Sequence, residues 1–210
     1  MTHDTFRRGG EVDRGGFPLL ALPMRRIRLI YLSGPALPSP HDKTVAQEAR
    51  MLCEAAGFTA LGPDAETLVE QAPSEAMARE IYAQRVARMR EADAAIVNLT
   101  PFRGPHCDPG AAFEAGFFSG LAKPVFAYMN LLSEEEAELK ARVDFYVGAE
   151  ADEQGVWRDD FGAPIEDYGL PESLILWAEA RRLYVIVTPD PEADLTGLEL
   201  CLDAVKLYAD

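Results

Sequence analysis

One stretch of the chain narrows its possible folds more than any other. Ala94–Leu99 is a short apolar run, and it enters a turn-rich loop at Thr100–Gly104. A helical pattern then leaves through Asp108–Gly116, carrying one carboxylate within the helix, Glu114. Strand, loop and helix in that order make the repeating unit of α/β folds. Ligands there bind outside the carboxyl ends of the strands, so the unit places an acid at a ligand position.

The same alternation runs along the chain. Ile27–Leu32, Phe58–Leu61, Ala94–Leu99, Pro124–Tyr128 and Leu183–Val187 are short, apolar and rich in β-branched or aromatic residues, which predicts strands. Lys43–Ala56, Pro73–Ala92, Ala111–Leu121 and Leu195–Tyr208 carry helical spacing, the first stopped at Gly57. Along the second helix Ala78, Tyr82, Val86 and Met89 mark an apolar stripe, with Arg79, Arg85, Arg88 and Arg90 on outer faces. Three prolines between Leu32 and His41 argue against helix there. Strands alternating with helices imply right-handed crossovers and a five-stranded parallel sheet between two helical layers. Further on, Ser133–Val143 predicts an acidic surface helix and Pro171–Ala180 another, while Phe145–Gly169 is irregular and long enough to suggest function or a subunit contact. Residues 1–26 predict a poorly structured extension ahead of one domain at 27–210, or a start at Met24.

Charge and composition remove several classes of function. The net charge of −15 repels polyanions, so a nucleic-acid partner is not expected. No apolar run reaches the ~18 residues of a membrane span, and residues 1–26 lack a signal-peptide core. The three cysteines, Cys53, Cys107 and Cys201, are far apart with no CxxC pair, which points away from disulfides and zinc and toward a reducing cytoplasm. Cys107 borders the informative loop, but the sequence shows no base to activate it. His41 and His106 are isolated, so no metal is expected. No GxGxxG or Walker sequence occurs, which leaves no cofactor indicated.

Several residues around the central unit are candidates for chemistry. Spacing alone leaves Glu114 open between a surface helix residue and a carboxylate desolvated by Phe113 and the neighbouring apolar residues. Asp108 before Pro109 suits a helix N-cap as well as a ligand contact. Asp93 begins a strand, where Asp is disfavoured, and so reads equally as a functional acid or a turn residue. Tyr31 ends the first strand beside Gly34 and reads equally as a site hydroxyl or a core tyrosine. Arg103, after Phe102, is placed to meet a base or to be solvated.

These residues together resemble the nucleoside 2-deoxyribosyltransferase family. The resemblance rests on Tyr31-Leu32-Ser33-Gly34-Pro35, on Ala92–Leu99, and on Pro101-Phe102-Arg103-Gly104 followed by Asp108-x-Gly-x-x-Phe-Glu114-x-Gly. Ala122-Lys123-Pro124-Val125 and Tyr168–Leu176 extend it. It implies a flavodoxin-like fold and transfer of a 2-deoxyribosyl group between nucleobases, with Glu114 as nucleophile. It further implies that Tyr31 orients Glu114, that Asp93 assists at the base and that Asp108 holds a sugar hydroxyl. Gly34, Pro35, Phe102 and Arg103 would line the substrate site. The implied partners are nucleosides and free nucleobases, and the implied assembly is a homo-oligomer, dimer or larger, with shared sites. Such chemistry suits paired acids, since charge builds on the sugar as the N-glycosidic bond breaks. Ser173 stands where the family usually has Asn and would reach the sugar 5′ end in a neighbouring subunit. Serine there resembles the related 2′-deoxynucleoside 5′-monophosphate N-hydrolases, whereas retention of Asp108 does not. A non-catalytic nucleoside-binding domain is a third possibility.

Overall fold

The computed structural model describes residues 26–34, 40–62 and 74–209. Most of the expected extension at 1–26, and Pro35, lie outside the described residues. Strands β1 (Leu29–Ser33), β2 (Thr59–Leu61), β3 (Ala94–Asn98), β4 (Val125–Leu131) and β7 (Leu183–Val187) form a parallel sheet of order β2-β1-β3-β4-β7. Helices α1 (Pro40–Ala55), α2 (Glu75–Glu91), α3 (Pro109–Gly120), α5 (Leu174–Glu179) and α6 (Thr196–Ala209) connect and cover it. The five-stranded parallel sheet between helical layers expected from the alternation is present, with the flavodoxin-like fold that the resemblance implied.

Period-2 alternation on the strands divides the core into two layers. Tyr31, Ala95, Val97, Val125, Ala127 and Met129 face one side, packed with Met89 of α2 and Ala111, Ala115 and Phe118 of α3. Ile30, Ala94, Ile96, Phe126 and Tyr128 face the other, against Cys53 of α1 and Leu198, Cys201, Leu202 and Val205 of α6. Each fully buried Ile, Leu or Phe contributes about 1.5–3 kcal/mol by leaving water. On the second face Gly197 lets α6 approach, since a Cβ there would lie 2.6 Å from the Tyr128 side chain. Lys123 closes the end of α2 from β4's entry, donating to the carbonyls of Met89, Arg90 and Ala92.

Several boundaries differ from expectation for identifiable reasons. Helix α1 starts at Pro40, inside the stretch where prolines argued against helix. A proline fits the first turn because its missing N–H has no intrahelical role there. The acidic Ser133–Val143 segment is two pieces, a 3₁₀ turn at Glu134–Ala137 and helix α4 at Leu139–Val147, broken where Glu138 turns extended. The irregular region contains an antiparallel ribbon, β5 (Ala149–Ala151) with β6 (Trp157–Asp159). Its turn is held by Asp152, whose carboxylate accepts from Gln154 and Val156 N–H and from Arg158. The Pro171–Ala180 helix is shorter than expected, six residues at Leu174–Glu179.

Helix α2 departs most from its sequence pattern. Tyr82 of the supposed apolar stripe is 58% exposed, whereas Arg85 and Arg88 of the supposed outer face are half-buried. Met89 is its buried anchor. Ser74 caps the helix by accepting from Met77 N–H at 3.2 Å. Arg88 reaches the Gly62 carbonyl at 2.5 Å, turning this side of the helix toward the carboxyl ends of β1 and β2.

Candidate active site

Glu114 is one and a half turns into α3 and only 4% exposed. Asp108 starts that helix, accepting from Ala111 N–H at 3.1 Å, and Pro109 takes the first helical position. Apolar Ala111, Ala115 and Phe118 bind α3 to the sheet. That packing carries Glu114 over the carboxyl end of β1.

Two hydroxyls of β1 meet it there. The Tyr31 hydroxyl donates to Oε1 at 2.8 Å and the Ser33 hydroxyl donates to Oε2 at 2.6 Å. Residues i and i+2 of a strand point to the same face, so one strand supplies both donors. Tyr31 is fully buried and its ring lies 5.6 Å from that of Phe118, which fixes its direction. Burial, then the adjacent Glu114 charge, pushes the Tyr31 phenol far above its ordinary pKa. The neutral phenol is thereby favoured, and it serves the carboxylate as a hydrogen-bond donor. Arg85 of α2 approaches the same Oε1, its Nη1 at 3.5 Å.

Beside this cluster the backbones of β1 and β3 close tightly. A Cβ on Gly34 would lie 3.0 Å from the Cβ of Asn98, so a side chain there would push the strand ends apart. Asn98 Oδ1 accepts from Thr100 N–H and hydroxyl, and the Thr100 hydroxyl accepts from Asn130 N–H, which starts the next loop rigidly. That loop closes on itself through Phe102 N–H to His106 carbonyl and a bridge between Pro101 and Cys107. Arg103 sits at its tip with φ 55°, and its guanidinium lies 4.8 Å over the Phe102 ring. Phe102 and Arg103 thus form one stacked unit at the loop tip.

A second buried carboxylate braces the loop from behind. Glu172 is 1% exposed, with Oε1 3.0 Å from His106 Nδ1 and accepting Ser173 N–H at 2.9 Å. Its Oε2 accepts Cys107 N–H at 3.1 Å. Arg142, equally buried, lies 3.9 Å from Oε2 and also donates to the carbonyls of Pro105, Glu136 and Pro171. Burial raises the Glu172 pKa, but the His106 and backbone N–H bonds outweigh it and the net shift is downward. Ser173 N-caps α5 without using its hydroxyl to cap. Cys107 is buried and burial pushes its thiol up to about 12, which makes it a poor nucleophile.

The structure does not bring Asp93 to Glu114. Asp93 precedes β3, and its carboxylate accepts Arg28 and Leu29 N–H at 2.9 and 3.0 Å, fastening the start of β1. The register pairs Ser33 with Val97, four residues on, so Asp93 lies roughly 13 Å away along the strand direction. It belongs to the amino edge of the sheet, and its expected help at the base has no geometric support within the chain.

The sequence profile of the nucleoside 2-deoxyribosyltransferases matches residues 30–175. The chain belongs to the nucleoside 2-deoxyribosyltransferase family. Among solved structures it is similar to a 2-deoxyribosyltransferase from Leishmania mexicana, at 26% identity and TM-score 0.51 over 71% of this chain and 85% of that one. It also matches a 2-deoxyribosyltransferase from Bacillus psychrosaccharolyticus, at 24% identity and TM-score 0.41 over 48% of this chain and 72% of that one. A CMP N-glycosidase from Clostridium botulinum matches at 15% identity and TM-score 0.41, covering 86% of this chain and 100% of that one. No match was found among curated protein sequences.

Within this deoxyribosyltransferase-family site, two contributors were not anticipated from sequence. Ser33 could have been found by the two-residue strand period that links it to Tyr31. Arg85 carried no signal, since an arginine in a weakly amphipathic helix reads as solvated. Among the described residues no group of three His, Cys, Asp or Glu side chains could hold a metal ion, and no helix is long and apolar enough to cross a membrane.

Proposed function

We propose that this member of the family cleaves the N-glycosidic bond of a 2′-deoxynucleoside and transfers the 2-deoxyribosyl group to a second nucleobase. The observation that carries the reading is the buried Glu114 carboxylate, held by donors at both oxygens at the carboxyl end of β1. One Glu114 oxygen attacks C1′, the C1′–N bond breaks, and its electron pair leaves with the base. The sugar is then an ester of Glu114. A ring nitrogen of the incoming base attacks C1′, the ester bond breaks, and the carboxylate returns while the base proton passes to water. Water in place of the second base gives slow hydrolysis. Tyr31 and Ser33 keep the carboxylate aimed throughout, so little reorganisation accompanies attack.

Asp108, Phe102, Arg103, Gly34, Pro35 and Ser173 complete the proposed substrate site. Asp108 stands at the mouth of α3 and would accept a sugar hydroxyl, which favours nucleosides over their 5′-monophosphates. Ser173 would act on the site of a neighbouring subunit. Exposed Phe113 of α3 and exposed Ile175 and Trp177 of α5 offer apolar surface for that assembly.

The test incubates the protein with a 2′-deoxynucleoside and a different free base. Appearance of the swapped nucleoside supports transfer, and release of base alone supports hydrolysis. Neither product from any natural 2′-deoxynucleoside or 5′-monophosphate sinks the reading. Ribonucleosides should react far more slowly, because a 2′-hydroxyl opposes positive charge at C1′.

A further inference from the structure

Arg85 is a half-buried cation with more donors than partners among the described residues. Its side chain is 28% exposed, its Nη1 stands 3.5 Å from Glu114 Oε1, and its Nε is buried with no hydrogen-bond partner among the described residues. Tyr31 already donates to the same oxygen at 2.8 Å. Glu114 therefore has its bonding from the two hydroxyls, and Arg85 is a near neighbour of the carboxylate with an N–H to spare. The expected acid, Asp93, is held at the other edge of the sheet by Arg28 and Leu29 N–H.

We propose that Arg85 is the group that meets the departing nucleobase, stabilising it as an anion by N–H donation and charge. This rests on the reading of Glu114 as the glycosyl acceptor. When Glu114 becomes an ester its negative charge disappears from beside Arg85. The same electron flow places a negative charge on the base as the C1′–N pair leaves. The anion thus moves from one partner of the guanidinium to another, and the cation stays in place. No proton needs to be transferred in this step, and a guanidinium, which stays protonated in proteins, has none to give. The base takes its proton from water after release. In the return half-reaction Arg85 favours a base that arrives deprotonated at the attacking nitrogen. Both pyrimidines, through O2, and purines, through N3, present an acceptor next to the glycosidic nitrogen. The substrate class is therefore any 2′-deoxynucleoside with such an acceptor, ranked by the acidity of its free base. A preorganised donor aimed at developing charge is worth on the order of 10²–10³-fold in rate.

The experiment measures kcat/KM for base release from a series of 5-substituted 2′-deoxyuridines, and of ring-substituted 2′-deoxyadenosines, whose free bases differ in N–H acidity. Wild-type protein is compared with Arg85→Met and Arg85→Lys, each checked for folding by circular dichroism. The expected result is a steeper dependence on leaving-group acidity in Arg85→Met. The poorest leaving groups should fall on the order of 10²–10³-fold and the best by far less. Arg85→Lys should lie between, since it keeps the charge and loses the fork. A uniform fall with unchanged slope means that Arg85 only positions Glu114 and overturns the proposal. So does full activity in Arg85→Met. If Arg85→Met does not fold, the slope in Arg85→Lys decides, and a wild-type slope there overturns the proposal. A wild-type protein that releases no base from any member fails differently: it removes the Glu114 reading itself and the role of Arg85 with it.

Discussion

Glu114 and Glu172 are two buried carboxylates on the same side of the molecule, held in opposite ways. Glu172 is gripped by backbone N–H groups of Cys107 and Ser173, by His106, and by the buried Arg142. Backbone donors cannot turn away, so this carboxylate is a fixed strut joining the loop after β3 to the segment before α5. Glu114 is held by two side-chain hydroxyls, each of which can rotate and exchange one acceptor for another. Burial alone does not distinguish a reactive acid from a structural one. The donors differ in kind: main-chain N–H groups are fixed in direction, whereas hydroxyls can change partners, as the proposed role of Glu114 requires.

Removing each acid should break this comparison along different axes. The largest effect is expected from Glu114→Ala, which should lower base exchange by on the order of 10³-fold or more, as loss of a covalent nucleophile does. Thermal unfolding should change much less. Near-normal turnover by the folded variant, or the absence of a deoxyribosyl adduct on Glu114 in mass spectrometry with a slow substrate, would count against the nucleophile.

Glu172→Ala should act on stability instead. It leaves Arg142 buried without its carboxylate, which typically costs about 3–5 kcal/mol, read by urea unfolding. The pH dependence has a defined sign. The Glu172 pKa is depressed in the folded protein, so its contribution is full above the unfolded carboxyl value of about 4.3. It is lost as pH falls through the lower folded value. The wild type should therefore lose stability below about pH 4 more steeply than Glu172→Ala. Parallel curves for the two would refute the strut.

A smaller effect is expected from Tyr31→Phe, which removes one rotatable donor to Glu114. Bonds to charged groups are worth about 1.5–3 kcal/mol, so kcat should fall roughly 10- to 100-fold. A loss as large as that from Glu114→Ala would make Tyr31 more than an orienting group. The smallest effect is expected from Asp93→Asn, at about 1 kcal/mol of stability with activity per folded molecule unchanged. Loss of activity there would return Asp93 to the site.

Much of the fold is legible because parallel strands buried on both faces are short apolar runs. Ala94–Asn98 and Leu183–Val187 sit within a residue of the expected spans, and β4 runs three residues further. The ribbon β5–β6 was not legible, since three-residue strands in an acidic stretch carry no apolar pattern. Within the candidate site the Tyr31 hydroxyl lies 2.8 Å from Glu114 Oε1, and whether it orients a nucleophile is what Tyr31→Phe tests. Asp93, read equally as a functional acid or a turn residue, lies at the amino end of β3 and fastens the start of β1, as its place just before a strand allows. Arg85 was unreadable, because a charged residue that turns inward toward a carboxylate looks identical in sequence to one that turns toward water.

The exposed face of α5 has an optical consequence. The chain has two tryptophans. Trp157 sits on the β5–β6 ribbon with the Lys140 ammonium 4.5 Å from its ring, while Trp177 is 41% exposed on α5. Their emission should differ in wavelength and in access to a dissolved quencher such as acrylamide. A subunit seated against α5 would shield Trp177 from the quencher. Quenching of the unlabelled protein across a dilution series would therefore show whether α5 is a subunit contact.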